Sequence, residues 1–262
     1  MPVRPNQVKR ILRGGGTVFG SSVRLSEPGL VECLGYAGFD FVIIDGEHGS
    51  WSWSDLERMV LAGMATEAVP MTRVLKNEPE LVMRALDLGA MGVMIPHLRT
   101  VDDARRFIAG GYYAPLGERG IGPGRGTKWG TVPADEYFRT INDEVVLLAM
   151  LEDPEAVENI DAIAAACVPT ATSGGIDVLW VGTGDLAQSY GVTGQLTHPK
   201  VMEASAKVLA ACERHGLACG FPCRSFDDAA WAMAAGYRAI GYLGAEAYVV
   251  NTGRDFLKFV KG

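Results

Sequence analysis

No stretch of this sequence approaches the roughly 20 consecutive apolar residues that a membrane-spanning helix needs. The first ten residues, MPVRPNQVKR, carry charge with no apolar core behind them, so no secretory leader is read there. Cysteine is sparse: Cys33, Cys167, Cys212, Cys219 and Cys223 make an odd count at spacings that match no zinc pattern. Free, mostly buried thiols in a reducing cytoplasm are expected. An excess of positive charge is missing too. The formal net charge of −7 argues against a broad nucleic-acid or anionic-membrane surface. It leaves room for a small anionic substrate held by local arginines. There is no sequence repeat and no low-complexity tract. The glycines nearest a dinucleotide fingerprint, Gly120 to Gly126, follow no strand and open no clear helix. Neither Lys76 nor Lys128 lies inside a buried strand, where a depressed pKa would suit Schiff-base chemistry.

What is present is organised around residues 39–50, FDFVIIDGEHGS. Phe41, Val42, Ile43 and Ile44 form a continuous apolar run, the pattern of a strand buried on both faces. It stops at Asp45-Gly46-Glu47-His48. In parallel α/β folds the ligand site lies at that end of the strands. Strands are expected over residues 17–23, 41–44, 69–74, 92–95, 144–151, 176–181, 217–221 and 237–241. Helices are expected over 3–12, 28–37, 54–65, 79–88, 101–109, 154–166, 200–215, 226–235 and 245–260. Ser54 followed by Glu57 reads as a capping box opening the third of these helices. Eight strand–helix alternations in one chain read as a single-domain (β/α)₈ TIM barrel over residues 1–262. An open doubly wound sheet is the alternative.

The polar residues collect at strand ends: Asp45, Glu47 and His48 after the second strand, Arg73 after the third, His97 after the fourth, Glu152 after the fifth and Asp185 after the sixth. All fall on one rim of such a barrel. Glu152 and Asp185 on adjacent strands suit a hard divalent cation completed by waters and substrate oxygens. A general acid/base pair or two salt-bridged carboxylates are the plain alternatives. His48 stays free to act as a base. Arg73 offers fixed charge to a developing oxyanion, or else an ordinary salt bridge to Asp45 or Glu47. Asp87 sits in the last turn of its helix, where the macrodipole disfavours it. Pairing with Arg84 would explain it. Its own helix would place it at the far rim, within reach of an active site only through distortion or in a neighbouring subunit. The glycine-rich segment 110–140 is too long for an ordinary connection. It carries Arg119, Arg125 and Trp129, and is expected to be poorly held by its own barrel and ordered against a neighbour in an oligomer.

These motifs together (IDGEH, an arginine ending the next strand, ALDLGAMGVMIPHLRTVDDARR, YYAPLGERGIG, a glutamate after strand five and VGTGDLAQSYG) resemble the HpcH/HpaI family of metal-dependent class II pyruvate aldolases, of the 4-hydroxy-2-oxoheptanedioate aldolase type. The similarity runs from about Thr17 to Gly241. The resemblance implies His48 as base, Arg73 as the group that stabilises a pyruvate enolate, and Asp87 as the aspartate that raises the basicity of the histidine. It implies Glu152 and Asp185 as ligands for Mg²⁺, Mn²⁺ or Co²⁺. The turn of Gly182, Thr183, Gly184 and Asp185 would bind the substrate carboxylate through backbone N–H groups. Arg125 would reach the other half of the substrate from a neighbouring subunit, in a homo-oligomer, usually a hexamer, whose closing helix is exchanged between partners. The expected partners are keto acids and aldehydes, with no nucleic acid and no membrane. Two departures stand out. Met150 replaces a family glutamine before Leu151-Glu152, and Thr183-Gly184 replaces a proline and small residue. Both bear on whether pyruvate or hydroxypyruvate is the donor. A citramalyl-CoA-type lyase and a non-enzymatic keto-acid and metal binding protein are the alternative functions.

Overall fold

The computed structural model describes residues 3–122 and 124–262. Eight parallel strands close into a barrel in sequence order, with the last paired back to the first. They are β1 Val18–Val23, β2 Phe41–Asp45, β3 Val69–Arg73, β4 Gly92–Ile95, β5 Val146–Leu151, β6 Val178–Val181, β7 Ala218–Cys223 and β8 Ala239–Gly244. The helices are α1 Gln7–Arg13, α2 Pro28–Tyr36, α3 Trp53–Met64, α4 Pro79–Asp87, α5 Val101–Gly111, α6 Ala134–Thr140, α7 Pro154–Glu158, α8 Ile160–Cys167, α9 Thr183–Ser189, α10 Pro199–His215, α11 Phe226–Ala235 and α12 Ala245–Lys261. Among the described residues no helix is long and apolar enough to cross a membrane.

The alternation of side chains along each strand divides the core in two. In β2, Val42 and Ile44 face the surrounding helices while Phe41 and Ile43 face the barrel interior. The interior is filled by Met71, Met94, Leu148, Met150 and Trp180 as well, and is closed below by Val8 and Leu12 of α1. Phe41 and Trp180 meet edge to face, ring centroids 6.4 Å apart. Glycine gives them room: a Cβ at Gly20 would lie 2.1 Å from the Phe41 ring, and one at Gly220 2.3 Å from Trp180. Lys9 anchors α1 beneath the barrel. Its buried ammonium lies 3.2 Å from Asp177, donates to the Tyr112 hydroxyl at 3.2 Å, and donates to the Val145 carbonyl. The bottom is thus plugged and charge-neutral, which leaves the carboxyl ends of the strands as the open end.

Local boundaries differ from expectation in several places. The capping box of α3 uses Ser52 and Asp55 rather than Ser54 and Glu57, with the Ser52 N–H donating to the Asp55 carboxylate at 2.8 Å. The helix expected over 154–166 is broken at Asn159, which ends α7 and opens α8. The turn after β6 continues into α9, an element absent from the expected pattern. Of the 110–140 segment, expected to be poorly held by its own barrel, the two ends are packed together, while Ile121 and Trp129 between them are exposed. Tyr113, Tyr137 and Phe138 pack edge to face, and the Arg119 guanidinium lies 4.5 Å from the centroid of the Tyr113 ring.

Candidate active site

The acidic turn after β2 is built around Asp45. Strand register places Asp45 directly beside Arg73 at the end of β3. The two form a fork, Nε to Oδ1 at 2.8 Å and Nη2 to Oδ2 at 2.5 Å. Asp45 Oδ1 also accepts the backbone N–H of Glu47 at 3.1 Å and of His48 at 3.4 Å, and the Asp45 carbonyl accepts the Trp51 indole N–H at 2.7 Å. Gly46 fits beneath that indole, where a Cβ would lie 2.2 Å from the ring. Burial opposes ionisation of Asp45, but the hydrogen bonds and charge of Arg73 and the two turn N–H groups outweigh it and hold the carboxyl below its usual range. Burial likewise works against the Arg73 cation, and Asp45, Glu47 and Glu152 overcome it and raise its pKa. Both salt bridges weighed for Arg73 from sequence are made, since its Nη1 lies 2.9 Å from Glu47 Oε2. The same Nη1 donates to the Met150 sulfur at 3.3 Å, a weak acceptor. His48 follows on the turn with its side chain 57% exposed, Nε2 3.8 Å from Glu47.

Across the rim, Glu152 is only 1% exposed. Its Oε1 accepts the backbone N–H of His97 at 2.9 Å, and its Oε2 has no hydrogen-bond partner among the described residues. Gly182 leaves the space that Oε2 occupies, since a Cβ there would lie 2.6 Å from it. Burial, opposed by His97 and reinforced by the negative charges of Asp185 and Glu47, pushes the Glu152 carboxyl up to about 7. Asp185 lies in the first turn of α9, which starts without a side-chain cap. His97 was legible in the sequence only as one more polar strand end. It adopts a left-handed backbone, φ 51°, and its Nδ1 lies 2.9 Å from Asp153, 3.6 Å from Glu152, with Nε2 3.9 Å from Glu47. Burial lowers the imidazole pKa, but these carboxylates raise it by more. A left-handed non-glycine residue at a strand end is the kind of backbone strain that functional sites retain.

A cavity of about 310 Å³ opens at this end of the barrel. Asp45, Arg73 and Met150 line one side, Ser22, Arg24, Cys223 and Arg224 the other, with Phe41 and Trp180 also lining it. Burial and the charge of Asp228 push the Cys223 thiol up to about 11, so it is not a thiolate nucleophile near neutral pH. His48, Glu152 and Asp185 stand on the same rim but outside the cavity wall. Two residues singled out from sequence lie elsewhere. Asp87 ends α4 at the opposite rim and pairs with Arg119 at 2.5 Å, not with Arg84, which stacks on Trp53. Arg125 is bound to Glu57 and lines a separate cavity of about 290 Å³ with Met91 and Glu144, residues that precede β4 and β5.

Among the described residues no three His, Cys, Asp or Glu groups converge in a ready-made metal cage. The donor set nevertheless fits a hard cation such as Mg²⁺, which takes one or two carboxylates and completes its shell with waters and substrate. The orphaned, buried Oε2 of Glu152 beside the charge of Asp185 is the observation in favour. A raised carboxyl pKa stabilises the fold fully below the ordinary value and loses that contribution as pH rises through the folded value. In metal-free protein the cost of Glu152 therefore grows as pH rises through about 7. Glu152→Gln is expected to match the wild type in melting temperature near pH 5 and to exceed it near pH 8, read by thermal unfolding in chelator; a constant difference across that range would refute the assignment of strain to this carboxylate.

Residues 20–247 match the family described as HpcH/HpaI aldolase/citrate lyase. The 5-keto-4-deoxy-D-glucarate aldolase of Salmonella paratyphi A (strain ATCC 9150 / SARB42) is 35% identical over 217 residues, 82% of this chain and 81% of that one. The crystal structure of an HpcH/HpaI aldolase/citrate lyase family protein from Burkholderia cenocepacia J2315 superposes with a TM-score of 0.91 at 32% identity, covering 98% of this chain and 100% of that one. The HpcH/HpaI aldolase of Desulfitobacterium hafniense DCB-2 gives 0.89 at 30% identity, over 97% and 96% of the two chains. With the closed barrel and its polar rim, these likenesses establish that the chain belongs to the HpcH/HpaI aldolase/citrate lyase family and is a carbon–carbon lyase.

Proposed function

We propose that this lyase is a metal-dependent class II aldolase. It would cleave 4-hydroxy-2-oxo acids to an aldehyde and pyruvate or hydroxypyruvate, or join them in reverse. The orphaned Oε2 of the buried Glu152 carries this reading: His97 engages the other oxygen, and a divalent cation would satisfy the one that has no hydrogen-bond partner among the described residues. Glu152 and Asp185 would hold a divalent cation, Mg²⁺, Mn²⁺ or Co²⁺. When bound, it supplies Lewis acidity to the 2-oxo group. The backbone N–H groups of the Gly182, Thr183, Gly184 and Asp185 turn, at the uncapped start of α9, would hold the substrate carboxylate. His48, at the solvent edge of the rim, removes the proton from the C4 hydroxyl. The C3–C4 bond then breaks, and Arg73 faces the negative charge that develops on the enolate oxygen. Arg73 Nη1 is shared between the Glu47 carboxylate at 2.9 Å and the Met150 thioether at 3.3 Å, and the thioether is the weaker competitor for that donor. The name of the Salmonella relative supports a hydroxylated sugar-acid aldol as the substrate class.

Asp87 and Arg125 lie at the opposite end of their own barrel, so their roles in the site require a neighbouring subunit. Val249, Phe256 and Phe259 of α12 are exposed. An apolar helix face of this kind is covered in a homo-oligomer that exchanges the closing helix.

Chelator should abolish aldol cleavage, and Mg²⁺, Mn²⁺ or Co²⁺ should restore it, whereas borohydride with pyruvate should leave activity intact. A trapped lysine adduct would rule out the class II mechanism. For His48→Ala, kcat should fall by about 10²-fold or more, as for a lost general base, with metal affinity retained by calorimetry; a normal rate at saturating metal would make His48 a ligand instead. Light scattering should find an oligomer. A fully active monomer would exclude any role for Asp87 or Arg125 across a subunit contact.

A further inference from the structure

We propose that His97 is the positioning residue of the metal site: its left-handed backbone turns a main-chain N–H onto Glu152, which fixes one oxygen of that carboxylate and leaves the other for the cation. This rests on the metal-dependent aldolase reading and names what holds its buried ligand in place.

The chain leaves β4 as Ile95-Pro96-His97-Leu98. Ile95 is still in register with Ala149 of β5. Pro96 has no N–H, so His97 brings the first donor beyond the strand. The Leu98 N–H then returns to β5, donating to the Met150 carbonyl at 3.0 Å. Between those two points the backbone turns aside. The φ of His97 is 51°, and its N–H donates to Glu152 Oε1 at 2.9 Å rather than to a β5 carbonyl. Among the described residues this is the one hydrogen bond that the Glu152 side chain accepts. Gly182 closes the other side, where a Cβ would lie 2.5 Å from Glu152 Cβ and 2.6 Å from Oε2. The carboxylate is thus held at Oε1 and confined along its stem, and the orientation of Oε2 follows from both.

A side chain at positive φ is strained, whereas glycine adopts that conformation freely. A histidine there needs a compensating contact, and the imidazole makes one. Its Nδ1 lies 2.9 Å from Asp153 Oδ2. Asp153 is in turn held by Arg99 Nε at 3.0 Å. Asp153 stands at the N-cap of α7 yet makes no side-chain cap bond. The carboxylate that an N-cap aspartate ordinarily turns to its own helix is turned to His97 and Arg99 instead. The imidazole therefore anchors the strained turn to the start of α7, and the turn aims the N–H at Glu152. Carboxylates that ligate metals are commonly held by such a hydrogen bond from behind.

The test is Mn²⁺ binding by calorimetry to the full chain after chelator treatment, without substrate, so that affinity is read apart from turnover. His97→Gly keeps both the N–H and the left-handed conformation, and should bind Mn²⁺ as the wild type does. His97→Asn, a residue that also enters this region, should do the same. His97→Val cannot hold a positive φ without severe strain, so the N–H should swing away and binding should weaken about tenfold or more, the scale of a lost partner behind a metal ligand. His97→Ala keeps the strain and loses the anchor. It should fall between glycine and valine, and it carries the comparison if the valine variant does not fold. A loss in His97→Gly as large as in His97→Ala would assign the effect to the imidazole and overturn the proposal. Wild-type affinity in both His97→Ala and His97→Val would overturn it as well. Failure of the wild type to bind Mn²⁺ would overturn the metal reading itself, and the role of His97 with it.

Discussion

The contact on which the rim depends is the fork between Asp45 and Arg73. Two oppositely charged side chains lie side by side at the ends of adjacent strands, most of their surface withdrawn from water. Withdrawing them is costly, and the geometry offsets it only because both hydrogen bonds of the fork are made and the remaining acceptor capacity of Asp45 is filled by the turn itself. The consequence is structural before it is chemical. Glu47 and His48 point where they do because their N–H groups are tethered to the same carboxylate. Trp51 is held over the turn by the Asp45 carbonyl. Any chemistry assigned to His48 or Arg73 therefore inherits its geometry from Asp45, a residue that need never touch substrate.

The two ends of the barrel resolve their charge in opposite ways. At the bottom, Lys9 is surrounded by Asp177, the Tyr112 hydroxyl and the Val145 carbonyl, so a buried cation has partners on every side. At the top, Glu152 is as deeply buried but keeps one oxygen without a partner, beside like charges. His97 holds its other oxygen from a strained backbone conformation. A buried oxygen left open in this way is the pattern expected where local stability is given up for binding.

The sequence carried much of this because periodicity and strand ends are one-dimensional signals. The apolar run 41–44, its abrupt acidic stop and the eightfold alternation were enough for the barrel and for placing His48, Arg73, Glu152 and Asp185 on one rim. What escaped were relations between residues far apart in the chain. The partner of Asp87 is Arg119, 32 positions away, not Arg84 on the same helix. A salt bridge between Asp45 and Arg73 could be weighed from their places at strand ends, but the strand register that makes it a two-bond fork could not. The left-handed φ of His97 has no signature in the residue type. The choice of Ser52 over Ser54 as a cap, and the break at Asn159, turn on one or two residues where several capping side chains crowd together.

The cavity itself combines unlike surfaces in one volume. At one wall stand the Asp45–Arg73 pair and the Met150 thioether, at the other Ser22, Arg24, Cys223 and Arg224, and between them Phe41, Ile43, Met94 and Trp180 contribute an apolar floor. An apolar floor offers water few hydrogen-bond partners and weakens competition for the charged groups around it. The same floor cannot orient a substrate, since it lacks directional contacts. Orientation must come from the polar groups of the walls and of the rim above them. The interior rings, packed against walls relieved by Gly20 and Gly220, set the depth of the floor, so the packing of Phe41 against Trp180 fixes how far anything bound there can descend from those polar groups.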